Sequence, residues 1–262
     1  MNQARTGRCS TPVLALLLLI PALALPTAAP AAEPVPGRYT EVPASADGIG
    51  KAYLGRPIAR VMSFHGAEWL ERPERAEEER PELLLAALEL KAGMTVADIG
   101  AGTGYYSWRM AQRVGPGGSV YAVDVQPEMI KLLEEQMSRR GAANVKAVLG
   151  TPTDPRLPPG SIDLAIMVDV YHELEHPYEM LAAIVRALKP GGRLVFVEFR
   201  SGDAAVPIKA VHTMSEAQVR KEASAHALEW LKTARELPWQ NAVIFRKRSG
   251  RRRTARRDRE TE

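Results

Sequence analysis

Between residues 95 and 199 five short apolar runs alternate with stretches of helical spacing. The strands expected from them are 95–99, 120–123, 145–149, 162–168 and 193–199, and the helices 105–114, 127–139 and 178–188. Strands that are apolar on both faces need helices to cover both faces, which specifies a parallel α/β sheet. Gly115-Pro116-Gly117-Gly118 and Lys189-Pro190-Gly191-Gly192 supply stops after two of the helices. Upstream, Leu83, Leu84, Ala87, Leu88 and Leu90 recur at helical spacing behind Pro81, a residue suited to a first helical position. After Gly202 the order changes: 215–225 reads as a helix, and 228–234 with 242–246 as a strand pair joined through Leu237-Pro238-Trp239-Gln240. Aromatic residues in the polar segment 48–69 suggest a lid, and the Pro- and Ala-rich stretch 33–46 a linker.

The first strand of the alternation runs into glycine at every second position, Val96-Ala97-Asp98-Ile99-Gly100-Ala101-Gly102-Thr103-Gly104. Glycines there let a backbone approach a ligand closely at the carboxyl end of a strand, where α/β sheets bind their ligands. The second strand ends in Asp124, about 20 residues on, the spacing at which an acid reaches a ribose. A dinucleotide turn reads G-x-G-x-x-G, whereas this one reads G-x-G-x-G with Asp98 ahead of it.

That pattern resembles the first motif of class I S-adenosylmethionine-dependent methyltransferases, and the chain is similar to exported members of that family over about 150 residues, 94–245. The resemblance rests also on the segment 163–173 and on Leu188-Lys189-Pro190-Gly191-Gly192-Arg193-Leu194. It implies a Rossmann-like, doubly wound, mostly parallel seven-stranded sheet with an antiparallel last strand. It further implies S-adenosylmethionine as cofactor, held by Asp98, Gly100, Gly102, Gly104, Asp124 and Asp169. Val125 and Met129 would flank the adenine, and the loop Thr151 to Asp154 would reach its amino group, with Thr151 where an acid is common and Asp154 as its substitute. The implied activity is methyl transfer to a small-molecule acceptor; the alternative within the same fold is a module that binds the nucleoside without catalysis.

Asp169-Val170-Tyr171-His172-Glu173 ends the fourth strand, at the edge where the acceptor belongs. Methyl transfer asks mainly for alignment and exclusion of water, with a base when the acceptor is a hydroxyl or a protonated amine. His172 is the candidate base, with Asp169 and Glu173 beside it. The rival reading has His172 bonded to a loop and Asp169 capping the next helix. Tyr105 and Tyr106 either line the site or pack a helix, Glu198 and His212 either meet the acceptor or pack, and Trp230 and Trp239 are expected in the core. His172-Glu173-Leu174-Glu175-His176 also satisfies the H-E-x-x-H pattern of zinc proteases. The pattern needs both histidines on one continuous helix, which a preceding strand and Pro177 oppose, so no metal ligands are assigned.

The ends carry other signals. Arg5 and Arg8 precede an apolar run from Val13 to Leu25, and small residues follow, the composition of a cleaved signal peptide over 1–32. A run of about 13 residues is short of the roughly 20 that span a bilayer. Cys9, the sole cysteine, would leave with it. A periplasmic or secreted protein is expected, or a cytoplasmic one if translation starts downstream, for instance at Met62. At the other end, 246–262 holds nine Lys or Arg against three acids, so the chain's net +4 belongs to a tail rather than to a basic face. Such a tail is either a solvated segment or a contact for anionic membrane or another polyanion; nothing points to specific nucleic acid.

Overall fold

The computed structural model describes residues 37–249, so the expected signal segment 1–32 and nearly all of the expected tail 248–262 lie outside the described residues. The described part opens on a small antiparallel sheet, β1 (Tyr39–Glu41), β2 (Gly48–Tyr53) and β3 (Arg56–Ala59). A strand thus occupies part of the expected linker, and two more fill the start of the expected lid. Three short helices follow, α1 (Ala67–Leu70), α2 (Arg75–Glu79) and α3 (Pro81–Ala87).

From residue 95 the alternation is realised as β4 (Thr95–Ile99), α4 (Ser107–Val114), β5 (Ser119–Asp124), α5 (Pro127–Arg139), β6 (Val145–Leu149), β7 (Ile162–Val168), α6 (Pro177–Ala187) and β8 (Leu188–Phe199). It closes with α7 (Glu216–Ala223), β9 (Leu228–Ala234) and β10 (Gln240–Lys247). The seven strands are ordered β6-β5-β4-β7-β8-β10-β9. Pairing is parallel from β6 through β8, and β10 lies antiparallel between β8 and β9. This is the Rossmann-like sheet with an antiparallel last strand. Strand order reverses between β4 and β7, which opens a crevice over their carboxyl ends.

Alternate residues of β7 serve opposite layers, as the pleat requires. Ala165 and Met167 pack with Leu181 and Ile184 of α6, while Leu164 and Ile166 pack with Leu84, Met110 and Val114 on the other face. The expected helix 105–114 begins only at Ser107, because Tyr105 and Tyr106 are taken by a turn and bury their rings edge to face, 5.2 Å apart. Pairing of β7 with β8 starts at Leu188, ahead of the expected 193, and is interrupted through the Pro-Gly-Gly stretch, where Gly191 has φ +74°. Trp230 is not core: it lies on an exposed face of β9 beneath the Arg220 guanidinium, 4.1 Å from its ring centre.

The amino-terminal sheet is tied to the main domain by charge. The Arg56 guanidinium donates to both oxygens of Glu222 in α7, at 2.8 and 2.9 Å, and to the carbonyl of His172 at 3.1 Å, all in a buried setting. Removing one partner of a buried pair strands the other charge, at a cost of about 3–5 kcal/mol, whereas replacing both with apolar groups is often neutral. Arg56→Ala is therefore expected to lower unfolding free energy in urea by about 3–5 kcal/mol, with Arg56→Met/Glu222→Leu recovering most of that loss. Equal losses in the single and double variants would contradict the pairing.

Candidate active site

At the switch point a cavity of about 570 Å³ opens over β4, β5 and β7, within the range of small-ligand sites. Its walls are mostly apolar, with Val61, Leu70, Ile99, Val123, Met129 and Met180 among them. The glycine turn forms one side. Gly100 and Ala101 both donate their N–H to the Val123 carbonyl, at 2.8 and 2.9 Å, which binds the turn to β5. Gly100 and Gly102 have φ of +71° and +56°. A Cβ on Gly102 would come within 2.6 Å of the Leu70 side chain, and one on Gly100 within 2.5 Å of Val170, so only glycine lets these walls close on the turn.

Asp124 stands at the end of β5, facing that turn. Its two oxygens accept from Gly102 N–H at 3.1 Å and Gln126 N–H at 3.0 Å. An ionised carboxylate has about four acceptor positions, so room remains for a pair of ligand hydroxyls. Burial pushes the Asp124 carboxyl above its ordinary range. Val125 and Met129 follow on the cavity wall. The expected adenine loop behaves differently. Asp154 accepts from Arg186 at 2.8 Å, and Thr151 closes the loop by exchanging bonds with the Asp154 backbone. Pro152 is the residue of that loop on the cavity wall; Thr151 and Asp154 hold the loop's shape.

Asp98 lies under the glycine turn, buried, accepting from Ser107 Oγ at 2.6 Å. Burial raises its pKa to about 6, against the opposing pull of that hydrogen bond and of the Arg75 charge. Asp169 follows β7 with a left-handed backbone, φ +53°, a conformation that costs a non-glycine residue and collects at functional sites. One of its oxygens accepts from Gln240 Nε2 at 2.6 Å, and the other is buried without a partner among the described residues. Burial, with Glu79 and Glu198 near, pushes this carboxyl well above its ordinary range, towards the neutral form.

His172 is buried in a 3₁₀ turn, Tyr171–Glu173, with Nδ1 at 2.6 Å from Glu198. Glu198 also accepts from the Tyr171 N–H at 2.9 Å, so its two oxygens fix the turn and the imidazole together. The chain is extended at Leu174 and α6 starts at Pro177, which breaks any helix through 172–176. His176 sits instead beside Lys51 and Tyr39. The protease pattern is therefore not realised. Glu173 and His212 complete the polar end of the cavity, and Tyr105 and Tyr106 line it as well.

Val61, Met62, Trp69, Leu70 and Arg75 of the segment 61–75 stand on the cavity wall, so only the end of the expected lid segment 48–69 reaches the cavity. Met62 N–H donates to Glu173 and Phe64 N–H to Gln126, while Gln126 Nε2 donates back to the Met62 carbonyl. Arg75 enters the wall, bonded to Glu79 at 2.9 Å and to the Leu70 carbonyl at 2.8 Å, with Tyr106 Oη donating to Glu79. Sequence reasoning missed Arg75, Glu79 and Gln240 as site-building residues. The charge run around α2 hides the first two, since nothing local distinguishes a buried arginine from a solvated one.

A glycine turn, a second-strand acid and a lidded crevice at the switch point define a nucleoside-binding α/β domain of the class I methyltransferase kind. A family model described as a methyltransferase domain matches residues 90–243, and the chain belongs to that family. A solved S-adenosylmethionine-dependent methyltransferase from Aquifex aeolicus superposes with a TM-score of 0.68 at 27% identity, covering 71% of this chain and all of that one. Nocamycin O-methyltransferase of Saccharothrix syringae is 31% identical over 42% of this chain and 40% of its own length. The ubiquinone/menaquinone biosynthesis C-methyltransferase UbiE of Pseudomonas putida is 32% identical over 42% and 43%. The match thus spans about two fifths of the length of these curated relatives. The domain is an S-adenosylmethionine-dependent methyltransferase domain, and the turn, Asp124 and the cavity fit that cofactor.

The Asp98 carboxyl, raised to about 6 from an ordinary 3.8, favours the protonated folded state. Its charge therefore costs stability above pH 6, and that cost fades as pH falls towards 4. Asp98→Asn is expected to raise unfolding free energy at pH 7–8 by a few kcal/mol, since each tenfold change in proton affinity is worth about 1.4 kcal/mol, with the gain shrinking between pH 6 and 4. It should also weaken binding of S-adenosylhomocysteine. A stability change that is flat with pH would contradict the assignment.

Proposed function

We propose that the protein transfers a methyl group from S-adenosylmethionine to a small, largely apolar acceptor with one polar reacting atom. The observation that carries this is the polarity of the cavity: the glycine turn and Asp124 occupy one side, and Asp169, His172, Glu173 and His212 the other, with apolar walls between. When bound, the cofactor supplies an electrophilic methyl carbon. The chain's own part is to align an acceptor with it and keep water out. Segment 61–75 excludes water, and Tyr105 and Tyr106 bound the acceptor space. Glu198 holds His172 by Nδ1, leaving Nε2 with Glu173 to hold the acceptor's reacting atom. The acceptor chemistry of the relatives differs between O- and C-methylation, and the polar cluster of this chain favours an oxygen acid.

We place this activity outside the cytoplasm, on the strength of the basic, apolar and small-residue order of residues 1–32. A start at Met62 would remove Arg56 and leave buried Glu222 without its cation, which favours a translated chain that keeps β1 to β3. Amino-terminal sequencing of the protein purified from its own cells should find a first residue between 30 and 33, and a first residue of Met62 would overturn the export reading.

Incubated with S-adenosylmethionine and a panel of small phenols, enols and amines, the full chain should form S-adenosylhomocysteine with at least one oxygen acceptor. Asp124→Ala should raise the dissociation constant for S-adenosylhomocysteine at least tenfold, about 1.4 kcal/mol. Tight cofactor binding with no turnover of any acceptor would favour the binding module instead.

A further inference from the structure

We infer that His172, Glu173 and His212 form a binding site for one divalent transition ion of the zinc class, at the acceptor end of the cavity. The inference deepens the methyl-transfer reading by giving the polar end its chemistry, and it rests on that reading only for the ion's role, not for its presence.

The three side chains each offer one ligand atom, and all three atoms lie within 4.8 Å of one another. His172 Nε2 is 3.8 Å from Glu173 Oε1, and His212 Nδ1 is 3.5 Å from the same oxygen. For metal bonds of about 2.1 Å, the edge of a tetrahedron is about 3.4 Å. Two edges therefore nearly have the required length, and the third lies within 4.8 Å. The two imidazoles meet edge to face, with centres 5.2 Å apart.

The surroundings of the cluster are those of a ligand set. Histidine ligands typically give their other ring N–H to a carboxylate, which fixes tautomer and orientation. Glu198 does this for His172 at 2.6 Å and is itself fixed by the Tyr171 N–H. Arg56, bonded to the His172 carbonyl, holds the same turn from outside. The second oxygen of Glu173 accepts from Met62 N–H at 3.3 Å, leaving Oε1 to the histidines. Ligands come from two separate segments, so the site would tie the turn after β7 to the 3₁₀ turn Ala210–His212. Two nitrogens and one carboxylate oxygen suit zinc, cobalt or ferrous iron better than magnesium or calcium, which want oxygen alone. Three protein ligands leave a position open, the arrangement of a catalytic rather than a structural ion. All three residues line the cavity, so the open position meets the acceptor. The acceptor class this favours is a hydroxyl or enol, a hard oxygen donor able to complete the coordination.

The test uses the full chain, stripped by a chelator and titrated with Zn²⁺ in a calorimeter, with Co²⁺ as a spectroscopic probe. The expected result is one ion per chain, with intense visible bands of tetrahedral Co²⁺. His212→Ala should weaken Zn²⁺ binding at least tenfold, and Glu198→Gln should weaken it measurably through His172. His176→Ala, which removes the other histidine of the H-E-x-x-H sequence, should leave it unchanged. Wild-type protein that takes up less than one ion in five chains, or Co²⁺ without tetrahedral bands, would overturn the site whether or not the variants fold. So would equal loss in His176→Ala and His212→Ala. Stoichiometric Zn²⁺ binding in a protein that fails to bind S-adenosylhomocysteine would sustain the site and overturn the methyl-transfer reading.

Discussion

The structure depends on two arginines that the amino-terminal segment carries into the carboxyl edge of the sheet. That edge gathers acids: buried Asp98, Asp124 and Glu198, half-buried Asp169 and, from the helices around it, buried Glu79 and Glu222. Buried carboxylates without cations are expensive. Arg75 meets Glu79 directly and lowers the cost of Asp98 and Asp169 through space. Arg56 meets Glu222 and grips the turn of His172. A domain beginning at residue 90, where the family match starts, would lack both cations. The segment before it is therefore part of the site.

This arrangement explains why the two ends of the cavity differ. At the cofactor end, backbone N–H groups of Gly102 and Gln126 satisfy Asp124, leaving its remaining acceptor positions for hydroxyls. At the opposite, polar end the carboxylates are bound to side chains: Glu198 to His172, Glu173 near His172 and His212, Asp169 to Gln240. Asp169 keeps a strained backbone and an oxygen without a partner among the described residues there. Strain and incomplete hydrogen bonding survive where neighbouring packing over-determines them, and function is the usual reason they are kept. Lid closure then follows from ordinary contacts, chiefly Leu70 against Gly102 and Met62 between Glu173 and Gln126.

Most of the fold from residue 95 onward is legible in the sequence, because strands buried on both faces leave unbroken apolar runs bounded by glycine and proline. The glycine turn and Asp124 are legible for a related reason, since their spacing along the chain equals their function. Interactions with no local signal stay hidden. β2 and β3 carry Gly48, Gly50 and Pro57, with Gly55 in the turn between them, which dilute any alternation, and the anchors of this sheet are Tyr39 on Glu179 and Arg56 on Glu222, more than 100 residues away. Asp154 shares the loop expected at the adenine, yet its partner is Arg186 of α6. Trp230 reads as core by type, but its position on β9, at the sheet's edge, leaves the ring outside under Arg220.

Residues 61–75 line the same cavity as the glycine turn, so bound cofactor should protect both. Hydrogen exchange of the full chain with and without S-adenosylhomocysteine tests it most directly, since closure of a covering segment slows exchange of its own amides. Slowed exchange in both the glycine turn, 100–106, and the segment 61–75 is the result this structure requires. Protection confined to the turn, with 61–75 exchanging as in the free protein, would contradict it.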